Sequence, residues 1–226
     1  MSEIIKNITV MALPLLFAIT LHEAAHGWAA WKLGDNTAKT LGRVSFNPLV
    51  HIDPFGTVLL PALLILSGSG FLFGYAKPVP VNFRALNNPR RDMVLVALAG
   101  PMANVILIIG AALLLNFQSI VPEFAREWVG LNLYYMILIN AILAIFNMLP
   151  IPPLDGGRVA VGILPAFLSR PLSRLEPYGM LIIIAIVFII PVGGSYLGLN
   201  LNIFQYIIGP PLNEIMSMAD QLTRIF

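Results

Sequence analysis

The 226-residue sequence contains no cysteine and few charged residues. The absence of cysteine excludes disulfides, thiolate catalysis and cysteine-based metal sites. Charged residues make up 11% of the chain, against about 25% in an ordinary soluble domain. Hydrophobic residues make up 58% of the chain, a content that excludes a disordered protein. A soluble domain of this size could not bury so many apolar side chains. The low charge, the high hydrophobic content and a mean hydropathy of +0.85 together predict a protein embedded in the lipid bilayer.

The few charges are distributed unevenly between the predicted loops. Segment 77–91 carries four basic residues and no acid, and segment 156–177 carries three arginines against one glutamate. The loop between them, 121–128, has two glutamates against one arginine. By the positive-inside rule the two basic segments are cytoplasmic, which predicts a multi-pass protein of the cytoplasmic membrane. A net charge of +2 built from so few residues does not indicate nucleic-acid binding.

Apolar runs long enough to cross a bilayer recur along the chain. They predict an all-α polytopic membrane protein, a bundle of five to six transmembrane helices in one domain, residues 1–226. The run at 55–73 is short and broken by Pro61. If the first run, the start of the third and the end of the fourth meet at one depth to form a site, 55–73 should enter and leave on the same side, so we expect a re-entrant or extended segment near that site. The C-terminal stretch crosses, dips into or lies on the membrane. The candidate runs are 8–31, 55–73, 93–117, 131–149, 178–192 and 203–226.

Two histidines and a glutamate form an HExxH pattern in the last third of the first run. His22 and His26 are one helical turn apart on the same face, so both imidazoles reach one Zn²⁺ while Glu23 serves as general base for an activated water. Charged residues within a membrane span mark functional sites, which favours the metal interpretation. The alternatives are a hydrogen-bonded pair of core histidines with Glu23 as salt partner, or a proton relay in a transporter.

A catalytic zinc site of this type needs a third protein ligand and one open position. Asp155 is the candidate, because it directly follows the fourth run while most other acids lie in loops or near the termini. Pro150, Pro152 and Pro153 exclude a regular helix before it, and irregular backbone at membrane depth occurs only against protein or a watery cavity. The alternatives are a simple Asp-Gly turn and an N-cap of the next helix.

These motifs, in this order, resemble the site-2 protease family of intramembrane zinc metalloproteases, in its compact bacterial form without accessory domains. A small-residue motif between them, Ala99-Gly100-Pro101-Met102-Ala103-Asn104, adds to the resemblance, as do the stretches 46–54 and 76–82. The two signature motifs are HExxH (His22, Glu23, His26) and NxxPxPxLDG (Asn147, Pro150, Pro152, Leu154, Asp155, Gly156). About seven residues precede the first run, so we expect no span before the HExxH helix, in contrast to many family members.

The resemblance implies a role for each site residue. His22, His26 and Asp155 would hold one Zn²⁺ per chain, with Glu23 as general base. Asn147 would contact the substrate or the oxyanion, as an apolar cavity needs a donor where charge develops on the carbonyl. Asn104 is a weaker candidate for the same role, and with Gly100 it alternatively only permits close helix packing.

Two further features lie outside the signature motifs. His51 is either a partner of the ligands, an additional metal contact or, with greater weight, a polar loop contact. Segment 77–86 alternates like an extended strand, and in this family such an edge is expected to receive an unwound substrate by strand addition.

The function predicted is an intramembrane zinc endopeptidase. Its substrate would be a single-pass membrane protein or a signal-peptide-like remnant, selected by an earlier cleavage or by a separate regulatory partner. Two other functions stay open at this stage. One is a transporter or channel using the His, Glu and Asp cluster, although no internal repeat supports it; the other is a catalytically silent scaffold, although all four key positions are intact.

Overall fold

A computed structural model describes residues 3–59, 63 and 76–223 of the chain as an all-helical assembly. No strand occurs in this part of the chain. Short 3₁₀ turns cover 48–51, 83–85, 118–120 and 176–178, and π-helical turns cover 54–59 and 185–189. The helices are α1 Glu3–Lys32, α2 Thr37–Thr40, α3 Pro89–Leu115, α4 Glu123–Asn147, α5 Asp155–Ile163, α6 Ala166–Ser173, α7 Gly179–Ile184, α8 Ile190–Tyr196 and α9 Ile203–Leu222.

Local signals explain where the long helices begin. Helix α3 starts at Pro89, a position whose missing N–H costs nothing because the first N–H groups of a helix have no partner within it. One turn later the Asp92 carboxylate accepts a hydrogen bond from the Asn88 N–H at 2.7 Å. Helix α4 starts at Glu123, whose acidic side chain suits the positive end of the helix dipole.

Helices α1, α3 and α4 pack on one another and form the centre of the bundle. Small residues make the closest approaches, with Ala111 and Ala112 of α3 and Ala141 of α4 fully or nearly fully buried. Helix α9 covers the same cluster through Ala219. A second cluster joins the end of α1 to the start of α3 through Ala30 and Val96. Small side chains at the contacts let membrane helices approach closely.

Four helical segments of the described residues are long and apolar enough to cross a membrane. The chain is therefore a polytopic helical protein, as the sequence predicted. The segments are Thr9–Lys32, Pro89–Leu115, Glu123–Asn147 and Ala166–Tyr196. The expectation of five to six crossings is tested only this far, because most of the run at 55–73 lies outside the described residues. Helix α9 is not among the four.

Two boundaries differ from the sequence expectation for physical reasons. The predicted loop 121–128 is mostly helical, because the polar first turns of α4 precede its apolar run. The predicted fifth run, 178–192, is part of a longer helical stretch that begins near Ala166, with 3₁₀ and π turns between α6, α7 and α8. Of the segment 77–86 that the sequence predicts as extended, residues 77–82 form no helix and Asn82 is extended, whereas Phe83–Ala85 form a 3₁₀ turn.

Candidate active site

Three buried side chains from two distant parts of the chain meet at one point. The Nε2 atoms of His22 and His26 lie 3.0 Å apart, and each lies 3.2 Å from Oδ2 of Asp155. Atoms of these three residues form a group of metal-binding geometry. The spacing is close to the edge of a tetrahedron built on zinc–nitrogen bonds of about 2.0–2.1 Å, which is roughly 3.3 Å.

The hydrogen bonds around this group show that it suits a cation. The Nδ1–H of His26 donates to the Val96 carbonyl oxygen at 2.7 Å, so its Nε2 carries a lone pair. Nδ1 of His22 lies 2.6 Å from Oδ1 of Asn104, which places a lone pair on that Nε2 as well. Oδ2 of Asp155 is buried and receives no hydrogen bond from any described residue. When both imidazoles are neutral, the site presents three converging acceptors, which fit a divalent metal, and the His₂Asp set suits zinc.

Helix α3 passes directly over the two imidazoles at Gly100. A Cβ atom added to Gly100 would lie 2.3 Å from Nε2 of His26 and 2.7 Å from Cε1 of His22. No side chain larger than hydrogen therefore fits at this position without moving the histidines. Gly100 thus permits close packing, as the sequence suggested, and the surface it packs against is the candidate metal site.

Asp155 reaches the histidines because it is the first residue of α5. The chain turns back after α4 through residues 148–154, and the first turn of α5 packs tightly on that loop. A Cβ at Gly156 would lie 2.1 Å from the Met148 carbonyl oxygen, and one at Gly157 would lie 2.3 Å from the Pro152 nitrogen. The two glycines therefore let the helix begin where its first carboxylate faces α1.

Glu23 lies beside the histidines and contacts the extended segment 76–82. Its Oε2 accepts a hydrogen bond from the Val79 N–H at 2.7 Å. The segment is anchored on both sides of this contact. Near its start, the His51 carbonyl accepts from the Lys77 N–H at 2.9 Å and the Arg43 guanidinium donates to the Lys77 carbonyl at 2.6 Å.

The far end of the segment is held by Asp35. Its carboxylate accepts from the Asn82 N–H at 2.7 Å and from Thr37 N–H at 2.9 Å. Burial alone would raise the pKa of Asp35, but the hydrogen bonds from Thr37 and Asn82 hold that pKa below its usual value. The carboxylate therefore stays charged and ties the segment to the end of α1.

Asn104, Asn147 and His51 lie in three different environments. Asn104 is fully buried beside His22, and its Nδ2 donates to Oδ1 of Asn140 at 2.7 Å. These contacts engage its amide with protein groups, and its contact with the substrate or oxyanion stays a prediction. Asn147 ends α4, where its Nδ2 donates to the Leu143 carbonyl at 3.0 Å. His51 is buried in the loop, with Nε2 2.9 Å from the Ser45 carbonyl oxygen, the polar loop contact that the sequence favoured.

Sequence reasoning missed two groups at the site, Asn140 and the Val79 N–H. Asn140 is fully buried in α4 and touches Asn104. Its signal was an amide in an otherwise apolar stretch, seven residues before Asn147. The Val79 N–H is a backbone group between two prolines, and no side-chain pattern reveals it.

Comparison with known proteins decides the family. The model of peptidase family M50 matches residues 10–129 and 122–190, which include the HExxH helix and the Asp155 segment. The chain belongs to peptidase family M50. This is the site-2 protease family that the motifs resemble, so the protein is a zinc metalloprotease.

Two curated relatives align over most of the chain. "Putative zinc metalloprotease YwhC" of Bacillus subtilis is 38% identical over 85% of this chain and 85% of its own length. "Putative zinc metalloprotease Rip2" of Mycolicibacterium smegmatis is 30% identical over 93% of this chain and 78% of its own length. No solved structure matches the chain at a significant level.

Proposed function

We propose that this M50 protein is an intramembrane endopeptidase, cutting a peptide bond within or beside the transmembrane helix of a membrane-protein substrate. The observation that carries the proposal is the depth of the site. His22 lies ten residues before the end of α1 at Lys32, and Gly100 lies eleven residues after the start of α3 at Pro89. At 1.5 Å per residue, both lie about 15 Å from the ends of helices roughly 40 Å long. A hydrocarbon core about 30 Å thick therefore includes them.

The basic segments indicate which membrane face is nearer to the site. The end of α1 and the start of α3 lie together, since the Asn87 N–H donates to the Leu33 carbonyl at 2.8 Å. Lys77, Arg84, Arg90 and Arg91 lie at this end, whereas the first turns of α4 at the opposite end carry two glutamates against one arginine. The positive-inside rule makes the first end cytoplasmic. The site would therefore open in the cytoplasmic half of the cell membrane.

The extended segment 76–82 is suited to bind an unwound substrate strand. Pro78 and Pro80 force the residues before them into extended conformations, including Val79. Within the described residues, the Val79 carbonyl and the Val81 N–H have no hydrogen-bond partner. Residues two apart in an extended chain present these groups to the same edge, and the Val79 N–H directs that edge toward Glu23. A substrate added along this edge would lie beside the general base.

The residues then divide the reaction between them. Bound at His22, His26 and Asp155, zinc would polarise the scissile carbonyl and lower the pKa of a water. The Glu23 carboxylate takes the proton of the attacking water and returns it to the leaving amine. The Val79 N–H holds Oε2 of Glu23, which leaves Oε1 to exchange the proton. Asn147 stays a proposed contact of the substrate or oxyanion.

The same geometry argues against the other two functions. A proton-relay or metal transporter needs a continuous path of polar groups across the membrane, whereas the described partners of His22 and His26 lead to Asn140 and the Val96 carbonyl. A silent scaffold has no need for a general base held beside an intact ligand set. The proposed substrate is a single-pass protein or a signal-peptide remnant, with a separate partner or a first cleavage controlling its entry.

The test combines metal content with cleavage in liposomes. Wild type, Glu23→Gln and the matched control Glu123→Gln, at the exposed first residue of α4, are analysed for zinc and incubated with single-pass substrates. We expect about one zinc in all three, and cleavage by wild type and Glu123→Gln only. Chelation should stop the cleavage and zinc should restore it. Equal cleavage by Glu23→Gln, or cleavage that survives removal of the metal, would contradict the proposal.

A further inference from the structure

Asn140 of α4 is completely buried and makes no hydrogen bond to the three candidate ligands. Its Nδ2 donates to the Met136 carbonyl oxygen at 2.7 Å, four residues back in the same helix. Its Oδ1 accepts from Nδ2 of Asn104 at 2.7 Å, and Oδ1 of Asn104 lies 2.6 Å from Nδ1 of His22. A line of hydrogen bonds thus runs from a backbone carbonyl of α4 through α3 to α1.

The direction of every bond in this line follows from its first member. A backbone carbonyl only accepts, so the amide nitrogen of Asn140 must face Met136 and its oxygen must face Asn104. Asn104 must then present its nitrogen to Asn140 and its oxygen to His22. An amide oxygen also only accepts, so the proton of a neutral His22 lies on Nδ1, and Nε2 carries the lone pair that faces His26 and Asp155.

We propose that Asn140 is a positioning residue for the metal site, which fixes the ring orientation and tautomer of His22 through Asn104. Without Asn140, Nδ2 of Asn104 keeps only a long hydrogen bond to the Ala18 carbonyl oxygen, at 3.4 Å, which is weak enough for the amide to turn its nitrogen toward His22. The ring would then be protonated on Nε2, where it cannot bind a metal. The proposal rests on the proposed function in treating His22 as a ligand, but it concerns the protein before any substrate is bound.

The tautomer of His26 is fixed by a different kind of partner, and the comparison shows why His22 needs Asn140. Nδ1–H of His26 donates to the Val96 carbonyl, which has only one possible polarity. The partner of His22 is an amide, which has two. Partners that orient metal-bound histidines affect metal affinity by about 10–100-fold when they are changed. By holding Asn104 with its oxygen toward His22, Asn140 gives His22 an acceptor at Nδ1, as the Val96 carbonyl does directly for His26.

Helix α4 offers a matched control within three turns. The Nδ2 of Asn132 donates to the Trp128 carbonyl at 2.9 Å, the same four-residue bond that Asn140 makes. Asn132→Leu and Asn140→Leu therefore remove the same local bond from the same helix, and leucine is close to asparagine in shape. Only Asn140→Leu removes an acceptor from Asn104.

The experiment measures the tautomer of His22 in metal-free protein and its affinity for zinc. Protein labelled with ¹⁵N-histidine has three imidazoles to assign, and His51→Gln identifies one of them. NMR then reports which nitrogen of His22 carries the proton at a pH where the ring is neutral. Zinc affinity is measured by competition with a chelator. Asn140→Asp is a second variant, since its neutral acid form, favoured by burial, donates to Met136 and accepts from Asn104.

In wild type and Asn132→Leu we expect His22 protonated on Nδ1. Asn140→Leu should show protonation on Nε2 in part or all of the protein and zinc affinity about 10–100-fold lower. Asn140→Asp should restore both, and it carries the test if Asn140→Leu does not fold. An unchanged tautomer and zinc affinity in Asn140→Leu would overturn the proposal, as would an equal loss in Asn132→Leu. Neither the tautomer nor the zinc affinity requires cleavage to be measured. Wild-type protein that shows the expected tautomer but cuts no substrate would therefore refute the proposed protease function and leave the role of Asn140 standing.

Discussion

Gly100→Ala tests whether the site depends on the contact between α3 and the imidazoles. The added methyl would lie 2.3 Å from Nε2 of His26, about 1 Å closer than the 3.4 Å at which ordinary van der Waals contact begins. The two imidazoles are held in place. His26 is hydrogen-bonded to the carbonyl of Val96, which lies in α3 like Gly100, and both rings face Asp155. The strain of such overpacking is about 1–3 kcal/mol, which need not unfold the bundle. A displacement of about 1 Å at a catalytic group, however, lowers the rate by about 100-fold.

The assay compares Gly100→Ala with Gly110→Ala, a change in the same helix where a Cβ would meet no atom within 4 Å. Both proteins are purified in detergent and measured for thermal stability, zinc affinity and cleavage of a single-pass substrate. We expect Gly110→Ala to behave as wild type and Gly100→Ala to lose about 100-fold in cleavage, together with weaker zinc binding. Equal zinc affinity and cleavage in the two variants would show that α3 does not press on the ligands as described.

Three further predictions follow from other contacts. Gly156→Ala places a methyl 2.1 Å from the Met148 carbonyl oxygen and should weaken zinc binding by displacing Asp155. The control Gly209→Ala, where a Cβ meets no atom within 4 Å, should leave zinc affinity unchanged. Equal zinc affinities in the two variants would contradict this prediction. The pKa of Asp35 is lowered in the folded protein, so its stabilisation is complete above the ordinary value near 4 and is lost as the pH falls; hydrogen exchange at Asn82 should therefore rise on acidification in wild type but be insensitive to pH, after correction for intrinsic rates, in Asp35→Asn. Because the chain has no cysteine, Arg84→Cys and Ile120→Cys report membrane sidedness directly; an impermeant thiol reagent added to intact cells should label only the second, and the reverse would invert the proposed orientation.

Local sequence patterns predicted which three side chains meet at the candidate metal site. The spacing of His22 and His26 fixes a shared helical face whatever surrounds it. The prolines before Asp155 and the glycines after it likewise determine a turn and a tightly packed helix start. What the sequence could not show is that residues 133 and 129 positions apart meet within 3.2 Å, since that depends on how α1, α3 and α5 pack. The family resemblance supplied that link.

The supporting contacts were harder to predict, for physical reasons. An asparagine within an apolar helix satisfies its own nitrogen by bonding four residues back, as Asn132, Asn140 and Asn147 all do in α4. Nothing local distinguishes Asn140, whose oxygen faces another helix, from the other two. Hydropathy detects only the apolar part of a helix. The predicted run therefore begins at residue 131, whereas α4 begins with polar turns at Glu123.

The most direct test of an intramembrane protease is the position of the cut. Wild-type protein is placed in liposomes with a single-pass substrate, and the products are identified by mass spectrometry, with Glu23→Gln as the inactive control. A site about 15 Å from the proposed cytoplasmic ends of α1 and α3 predicts that the severed bond lies inside the apolar segment of the substrate, in its cytoplasmic half. Cuts confined to the water-exposed flanks, or equal cleavage of the flanking sequence as a soluble peptide, would contradict that account.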